Sequence, residues 1–218
     1  MANVIADIAG NYKTLMALLK KMPDDEPISL GDMVDRGPRS KEVLEFFMSN
    51  GRAILGNHEH MMLDACRKLG YYQPDVWCWN GGDATLKSFG AEGDYVEAAT
   101  QTNLIPDEVL DWVAGLPLYL EENECILSHS FVDVDLESSC KLGSNAHEAP
   151  HSIIWSRWEP QRIDAYDLQI AGHNSQFGYR RWSDDKGEYA ICLDACREKL
   201  LTGVHLPSKE IFQQEYID

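Results

Sequence analysis

Apolar segments with the character of short strands alternate with amphipathic helical segments over the first third of this chain. The apolar runs are Val4–Ile8, Ile28–Leu30 and Ala53–Leu55, and each precedes a segment whose apolar residues recur at helical spacing. Such alternation with short connections is typical of parallel strands joined by right-handed crossovers. Because ligands of such sheets gather at the carboxyl ends of the strands, we expect the chemistry of this chain in the loops that follow these runs.

The pattern changes in the second half of the chain. There, shorter apolar runs are separated by turn signals, which predicts hairpin strands. These runs are Leu118–Leu120, Cys125–Ser128, Leu168–Ala171, Tyr189–Leu193, Thr202–Leu206 and Ile211–Phe212. We therefore predict an α/β sandwich in which the second half contributes a second sheet, with the mostly helical residues 71–115 as a flank. At 218 residues, the chain is expected to form one domain over residues 1–218.

The charge balance limits the partners of the chain. Asp and Glu number 36 against 19 Lys and Arg, and the formal net charge of -17 would repel a nucleic-acid duplex. No apolar stretch reaches the ~20 residues that a membrane span needs. The six cysteines lack metal-finger spacing and the start of the chain does not resemble a secretion signal, so reduced thiols and a cytoplasmic location are expected.

Polar side chains suited to metal ions follow several of the apolar runs. Asp7 lies in the first run, residues 31–37 (GDMVDRG) and 56–59 (GNHE) follow the next two, and His129 and His173 follow runs of the second half. Carboxylate and amide oxygens together with neutral imidazoles suit Mn, Fe, Zn or Mg. Two such ions about 3.5–4 Å apart can hold a water and stabilise the oxygens of an in-line displacement at phosphorus. The sequence therefore favours a two-metal phosphoryl site.

The two loop motifs are specific. GDMVDRG at residues 31–37 and GNHE at residues 56–59 resemble the signatures of the phosphoprotein phosphatase family of metallophosphoesterases. Taken alone, Asp35 and Arg36 would fit a surface ion pair and His129 a core histidine, but the combination favours a metal centre. The resemblance implies a calcineurin-like β-sandwich flanked by helices. Further similarity to the small bacterial and lambda-phage-type members occurs at residues 59–62 (EHMM), 79–82 (WNGG), 154–157 (IWSR) and 172–173 (GH).

The resemblance also implies which residues hold metal. By their positions in the motifs, Asp7 and Asp32 bind a first ion, and Asp32 bridges it to a second. The ligands of the second ion are then Asp32, Asn57, His129 and His173. Two divalent ions are implied, with manganese preferred and iron, zinc and magnesium as alternatives, because Asp, Asn and His side chains accept all four.

The same resemblance implies the catalytic roles. His58 donates a proton to the leaving oxygen and is oriented by Asp35, whereas Arg36 and Arg157 grip the phosphate. A histidine that titrates near neutrality can protonate an alkoxide, and guanidinium groups match phosphate oxygens. The implied enzyme is a metal-dependent phosphomonoesterase of the serine/threonine protein phosphatase type. Water held by both ions would attack the phosphorus of a phosphorylated protein or a small phosphoester.

The family pattern breaks at one position. The family normally has Asp-x-His-Gly after the first strand, whereas this chain has Asp7-Ile8-Ala9-Gly10. A methyl group cannot coordinate a metal, so the first site is expected to bind weakly and the activity to be impaired. A histidine-to-alanine change that silences the enzyme is one explanation, and a pseudo-enzyme that binds phosphate or nucleotide without turnover is another. A symmetrical dinucleoside tetraphosphate hydrolase, which shares these motifs, stays open as an alternative activity. The sequence predicts no oligomeric state.

Overall fold

A computed structural model describes the chain over residues 1–132, 140 and 152–217. In chain order its strands are β1 (Ala2–Ile5), β2 (Glu26–Ser29), β3 (Arg52–Ala53), β4 (Tyr119–Glu122), β5 (Cys125–Ser128), β6 (Leu168–Ala171), β7 (Arg180–Asp184), β8 (Gly187–Cys192), β9 (Leu200–Leu206) and β10 (Glu210–Glu215). They form two five-stranded sheets, ordered β10-β9-β1-β2-β3 and β4-β5-β6-β8-β7. The predicted α/β sandwich is confirmed.

The first sheet combines both ends of the chain. Strand β1 pairs in parallel with β2, and β2 with β3, as the alternation in the sequence predicts. Strand β9 pairs antiparallel with β1, and β10 with β9. The prediction that the second half builds only a second sheet is therefore wrong for the last two strands. The edge of β1 opposite β2 needs partners for its backbone groups, and β9 supplies them while placing Val204 and Leu206 in the core.

An apolar core lies between the two sheets. Val4 and Ile28 from the first sheet meet Leu127 and Ile170 from the second in one buried cluster. All four side chains are fully buried. Because side chains alternate between the faces of a strand, every second residue enters this core. The shared core fixes the sheets relative to each other, and with them the loops at the strand ends.

Helices cover the outer faces of the sheets, and those within residues 71–115 form the predicted flank. They are α1 (Tyr12–Leu19), α2 (Ser40–Asn50), α3 (Asn57–Arg67), α4 (Pro74–Trp77), α5 (Asp83–Ser88), α6 (Tyr95–Ala99), α7 (Asp107–Ala114) and α8 (Ser152–Trp155). A π-helix over Cys78–Gly82 joins α4 to α5. Leu15, Leu44 and Met62 on three of these helices pack in a second buried cluster with Ile5 of β1. Within the described ranges, no helix is long and apolar enough to cross a membrane.

Candidate active site

The predicted metal ligands lie in loops that follow strands of both sheets. Asp7 follows β1, Asp32 follows β2, and Asn57 follows β3 at the start of α3. His129 and His173 follow β5 and β6 of the other sheet. Since the apolar core holds the sheets face to face, loops from both sheets meet at one edge of the sandwich.

An uncommon backbone conformation marks these loops. The angle φ is positive at Asp7 (52°), Asp32 (52°), Asp35 (72°), Arg36 (63°) and His173 (59°), a region that residues other than glycine rarely adopt. Each such residue costs on the order of 1–3 kcal/mol, which the surrounding packing must offset. Strand β1 is also shorter than predicted, because the chain leaves the sheet before it turns at Asp7.

Three predicted ligands form a compact buried cluster. Donor atoms of Asp32, His129 and His173 lie within 4.8 Å of one another. Asn57 joins them, since its Oδ1 lies 2.9 Å from His129 Nε2. Asp32 Oδ1 lies 3.3 Å from the same nitrogen. The fold thus gathers at one place all four residues predicted for the second ion.

The hydrogen bonds of His129 show what this cluster is suited to bind. His129 Nδ1 lies 2.7 Å from the carbonyl oxygen of Leu30, so Nδ1 carries the hydrogen and Nε2 presents a lone pair. That lone pair faces the oxygens of Asn57 and Asp32, which are acceptors as well. Three acceptors that face one another without a donor repel one another, and a cation bound among them would remove this repulsion. The donor set therefore fits a divalent ion, and Leu30 holds the imidazole in the tautomer that binds it.

The other imidazole of the cluster is kept neutral. His173 Nε2 donates to the carbonyl oxygen of Trp155 at 3.2 Å, and its ring centroid lies 4.9 Å from that of His129. Burial lowers the pKa of His173 to about 3. Neutral imidazole is the form that binds metal.

Asp7 lies beside the cluster, against the His173 loop. Its two carboxylate oxygens accept the backbone N–H of His173 at 3.1 and 3.0 Å. Burial, followed by the charges of Asp194 and Asp32, raises the pKa of Asp7 well above its ordinary value. Neighbouring buried carboxylates require a proton or a cation between them. A first metal ion bound beside Asp7 would remove the repulsion between these carboxylates.

Gly172 allows the Asp7 carboxylate to reach this loop. A Cβ atom at residue 172 would overlap the carboxylate of Asp7. Gly172→Ala is therefore expected to displace Asp7, to lower the free energy of unfolding by about 1–3 kcal/mol and to weaken Mn²⁺ binding. Denaturant unfolding and Mn²⁺ titration measure the two effects. Gly115→Ala is the matched control, because its Cβ meets only ordinary contacts. Unchanged Mn²⁺ affinity in Gly172→Ala would contradict a metal-binding role of Asp7.

His58 lies between a carboxylate and a guanidinium. Its Nδ1 is 2.6 Å from Asp35 Oδ2, and its Nε2 is 2.8 Å from Arg36 Nη2. Since arginine only donates, Nε2 accepts and Nδ1 donates its hydrogen to Asp35. Asp35 in turn accepts from Thr85 Oγ1 at 2.7 Å and from Trp77 Nε1 at 3.0 Å. The Asp35 carboxylate is held by three donors and therefore sets the orientation of His58.

The surroundings of His58 favour its charged form. Burial opposes the charge, but the Asp32 carboxylate and the hydrogen bond to Asp35 outweigh it, so the pKa of His58 is raised.

A proton donor with a raised pKa stays protonated to higher pH. We therefore expect kcat/KM to fall only as the pH rises through a pKa that lies above the ordinary value of histidine. Asp35→Asn removes part of this support and is expected to move the alkaline limb to lower pH. Profiles of kcat/KM against pH test this, and an unmoved limb would refute the role of Asp35.

Arg157, the second predicted phosphate ligand, lies at the open side of the cluster. Its Nη1 donates to the carbonyl oxygen of His173 at 3.3 Å, and the residue is exposed. Arg36 is fixed through its backbone, which donates to the carbonyl oxygen of Gly81 in the π-helix at 3.0 Å. Both guanidinium groups therefore stand close to predicted metal ligands or to His58.

Four buried residues support the site although sequence reasoning assigned them no role. They are Glu59, Trp77, Thr85 and Asp194. Glu59 belongs to the GNHE motif, and Asp194 follows an apolar run as Asp7 does, so each carries a usable signal. Trp77 and Thr85 lie 42 and 50 residues from Asp35 along the chain, and no local pattern connects them to it.

Glu59 stabilises the loop that carries Asp32. Its carboxylate accepts the backbone N–H groups of Asp32 at 2.8 Å, Met33 at 2.7 Å and Gly56 at 3.0 Å. These bonds connect the loop after β2 to the start of α3 and satisfy buried backbone donors. Burial and the charge of Asp32 raise the pKa of Glu59 to about 7. The hydrogen bonds from the backbone N–H groups act in the opposite direction and lower this pKa.

A family model described as calcineurin-like phosphoesterase matches residues 3–188. The chain belongs to this family. It is 38% identical over 159 residues to serine/threonine-protein phosphatase 1 of Salmonella typhimurium, covering 71% of this chain and 67% of that protein. It is 32% identical over 134 residues to the symmetrical bis(5'-nucleosyl)-tetraphosphatase of Methylococcus capsulatus, covering 58% of this chain but only 41% of that protein. A cold-active protein-tyrosine phosphatase structure from a psychrophilic Shewanella species shares the fold, with a TM-score of 0.61 at 16% identity, covering 99% of this chain and 77% of that one.

In this calcineurin-like phosphoesterase, Ala9 borders a cleft of about 450 Å³. The remaining lining residues are Asn11, Arg36, Gly37, Pro38, Ser175, Cys196, Arg197 and Tyr216. The Ala9 N–H donates to the carbonyl oxygen of Asp32 at 2.8 Å, and the Ala9 carbonyl accepts from the Gly37 N–H at 2.9 Å. The backbone of residue 9 is therefore fixed between two site loops. A longer side chain at this position would extend from a fixed Cα atom at the wall of the cleft.

Proposed function

We propose that this protein is a metal-dependent phosphomonoesterase of the serine/threonine protein phosphatase type, impaired in this form by Ala9. The observation that carries the proposal is the contact between the cation cluster and the proton donor. Asp32, a member of the cluster, accepts the backbone N–H of His58 at 3.0 Å and lies 3.9 Å from its Nε2. Addition of water and expulsion of an alkoxide at one phosphorus require a cation site and an acid placed side by side in this way.

The donor atoms fit two divalent ions. Asp32, Asn57, His129 and His173 would hold one ion, and Asp7 with Asp32 would hold the other, with manganese as the preferred metal. When bound, such ions polarise the phosphoryl oxygens and make water more acidic. The oxygen and imidazole ligands accept iron, zinc and magnesium as well.

The chain's own residues would then act on substrate and proton. Arg36 and Arg157 bind phosphate oxygens through their guanidinium forks. Once Arg36 turns from His58 to the phosphate, Nε2 of His58 is released and takes up a proton from solvent. Asp35 keeps its bond to Nδ1 and stabilises the imidazolium. His58 gives the Nε2 proton to the leaving oxygen, so that one phosphomonoester and one water yield an alcohol and inorganic phosphate.

The thiol nearest to the cleft is unsuited to form a phosphoenzyme. Cys196 lines the cleft, but burial and the charge of Asp194 raise its pKa to about 12. A thiol in this state is a weak nucleophile at neutral pH. This supports direct attack of water on phosphorus without a covalent intermediate.

A panel of substrates tests the proposal. Ala9→His protein with Mn²⁺ is incubated separately with a phosphoserine peptide, a symmetrical dinucleoside tetraphosphate and a cyclic nucleotide, and the products are measured. We expect phosphate release from the phosphopeptide. Cleavage of the dinucleotide alone would replace this proposal with the alternative that the similarity to the Methylococcus capsulatus protein supports. Binding of Mn²⁺ without turnover of any of the three would instead indicate a pseudo-enzyme.

A further inference from the structure

A buried hydroxyl group without a partner lies at the cleft that Ala9 borders. Tyr216 follows β10 and lines this cleft together with Ala9 and Arg36. Its Oη atom is buried and has no hydrogen-bond partner among the residues that the structure describes. Since buried polar groups are nearly always satisfied, such an atom indicates a water or ion that completes its hydrogen bonding.

The groups around the Tyr216 hydroxyl are those of the first-ion side of the site. Burial, followed by the neighbouring Cys196, Asp7 and Asp194, raises the pKa of Tyr216, whereas Arg36 acts in the opposite sense. The hydroxyl therefore stays neutral, with one hydrogen to donate and lone pairs to accept. Because the hydroxyl has no partner among the described residues, its oxygen is free to accept a hydrogen bond from a further group.

The position of the Tyr216 ring is set by the fold and not by its hydroxyl. The Tyr216 N–H donates to the carbonyl oxygen of Lys199 at 3.0 Å, and the next N–H, of Ile217, donates to Thr14 Oγ1 at 2.9 Å. The ring packs against the buried cluster beneath the helices. Removal of the hydroxyl alone should therefore leave the ring in place.

We propose that Tyr216 is a positioning residue for the first ion and compensates for the histidine that is missing at position 9. Because Ala9 offers no ligand, a water would complete the ligands of the first ion when that ion is bound, and Tyr216 Oη would accept a hydrogen bond from that water. A coordinated water is a strong donor, and groups that orient ligands in this way change metal affinity about 10–100-fold. This inference rests on the proposed function, because it requires the first ion.

A double-mutant cycle on Mn²⁺ affinity tests the inference. Tyr216→Phe is made in the chain with Ala9 and in the chain with Ala9→His, and Mn²⁺ binding is measured by calorimetry and by electron paramagnetic resonance. With Ala9 present, Tyr216→Phe is expected to weaken the first Mn²⁺ site about 10–100-fold. With Ala9→His, the imidazole replaces the water, and the same change is expected to alter affinity by less than about twofold. Equal losses in both chains, or no loss with Ala9, would overturn the inference.

Two controls separate this role from a structural one. The melting temperature of metal-free Tyr216→Phe is expected not to fall, since the hydroxyl makes no bond to the described residues, whereas a fall in both chains would indicate a structural role. Tyr189→Phe, at a half-buried tyrosine packed in another cluster, is expected to leave Mn²⁺ affinity unchanged. If Ala9→His restores hydrolysis but no coupling to Tyr216 is found, the inference fails alone. If Mn²⁺ binds with coupling but no phosphoester is cleaved, the proposed function fails alone.

Discussion

Replacing His58 with asparagine is expected to lower kcat for a phosphoserine peptide by about 10²–10⁴-fold, measured in the Ala9→His chain with Mn²⁺ present. His58 is placed to protonate the leaving oxygen, with Asp35 on Nδ1 at 2.6 Å and Arg36 on Nε2 at 2.8 Å. The need for an acid grows with the basicity of the leaving oxygen. The loss should therefore be smaller for an aryl phosphate, whose phenolate leaves unaided, than for the serine ester.

The control for this experiment is another histidine that is paired with a carboxylate. His205 Nε2 lies 3.0 Å from Asp25 Oδ2, and His205 belongs to β9 rather than to the site loops. His205→Asn tests whether loss of any such pair lowers the rate through stability alone, and it is expected to keep kcat within a few-fold. Equal losses for serine and aryl esters in His58→Asn would argue against proton donation.

Restoring a histidine at position 9 is expected to raise Mn²⁺-dependent hydrolysis of an aryl phosphate by about 100-fold or more, corresponding to about 3 kcal/mol of barrier. The backbone of Ala9 is held between the loops of Asp32 and Gly37, so an imidazole would start beside the first-ion ligands. It would replace a water by a stronger ligand and increase occupancy of the first site. Titration of activity against Mn²⁺ should show the gain mainly at low metal concentration.

Ala114→His is the matched control, because residue 114 is exposed near the end of α7 and adds an imidazole away from the site. Its activity is expected to equal that of the unchanged chain. If Ala9→His gives no gain at any Mn²⁺ concentration, the idea that Ala9 impairs a metal-dependent enzyme is refuted.

The ligand chemistry could be predicted because it is concentrated in short motifs. Asp32, Asp35, Arg36, Asn57 and His58 lie within two loops that follow apolar runs, and each has the donor type that its proposed role demands. The parallel order of β1, β2 and β3 likewise follows from the alternation of strands and helices. A sequence shows local periodicity and side-chain chemistry directly, and this information is sufficient to predict the ligand types and the parallel strands.

The sequence by itself determined the family and the sandwich class, and it predicted which residues bind metal. Only the tertiary structure decided that β9 pairs with β1, that Thr85 and Trp77 hold Asp35, and that Tyr216 lines the same cleft as Ala9. Each of these contacts joins segments far apart in the chain, and their approach depends on how two sheets pack around a shared core. Packing of that kind is a property of the whole chain, so no local pattern can encode it.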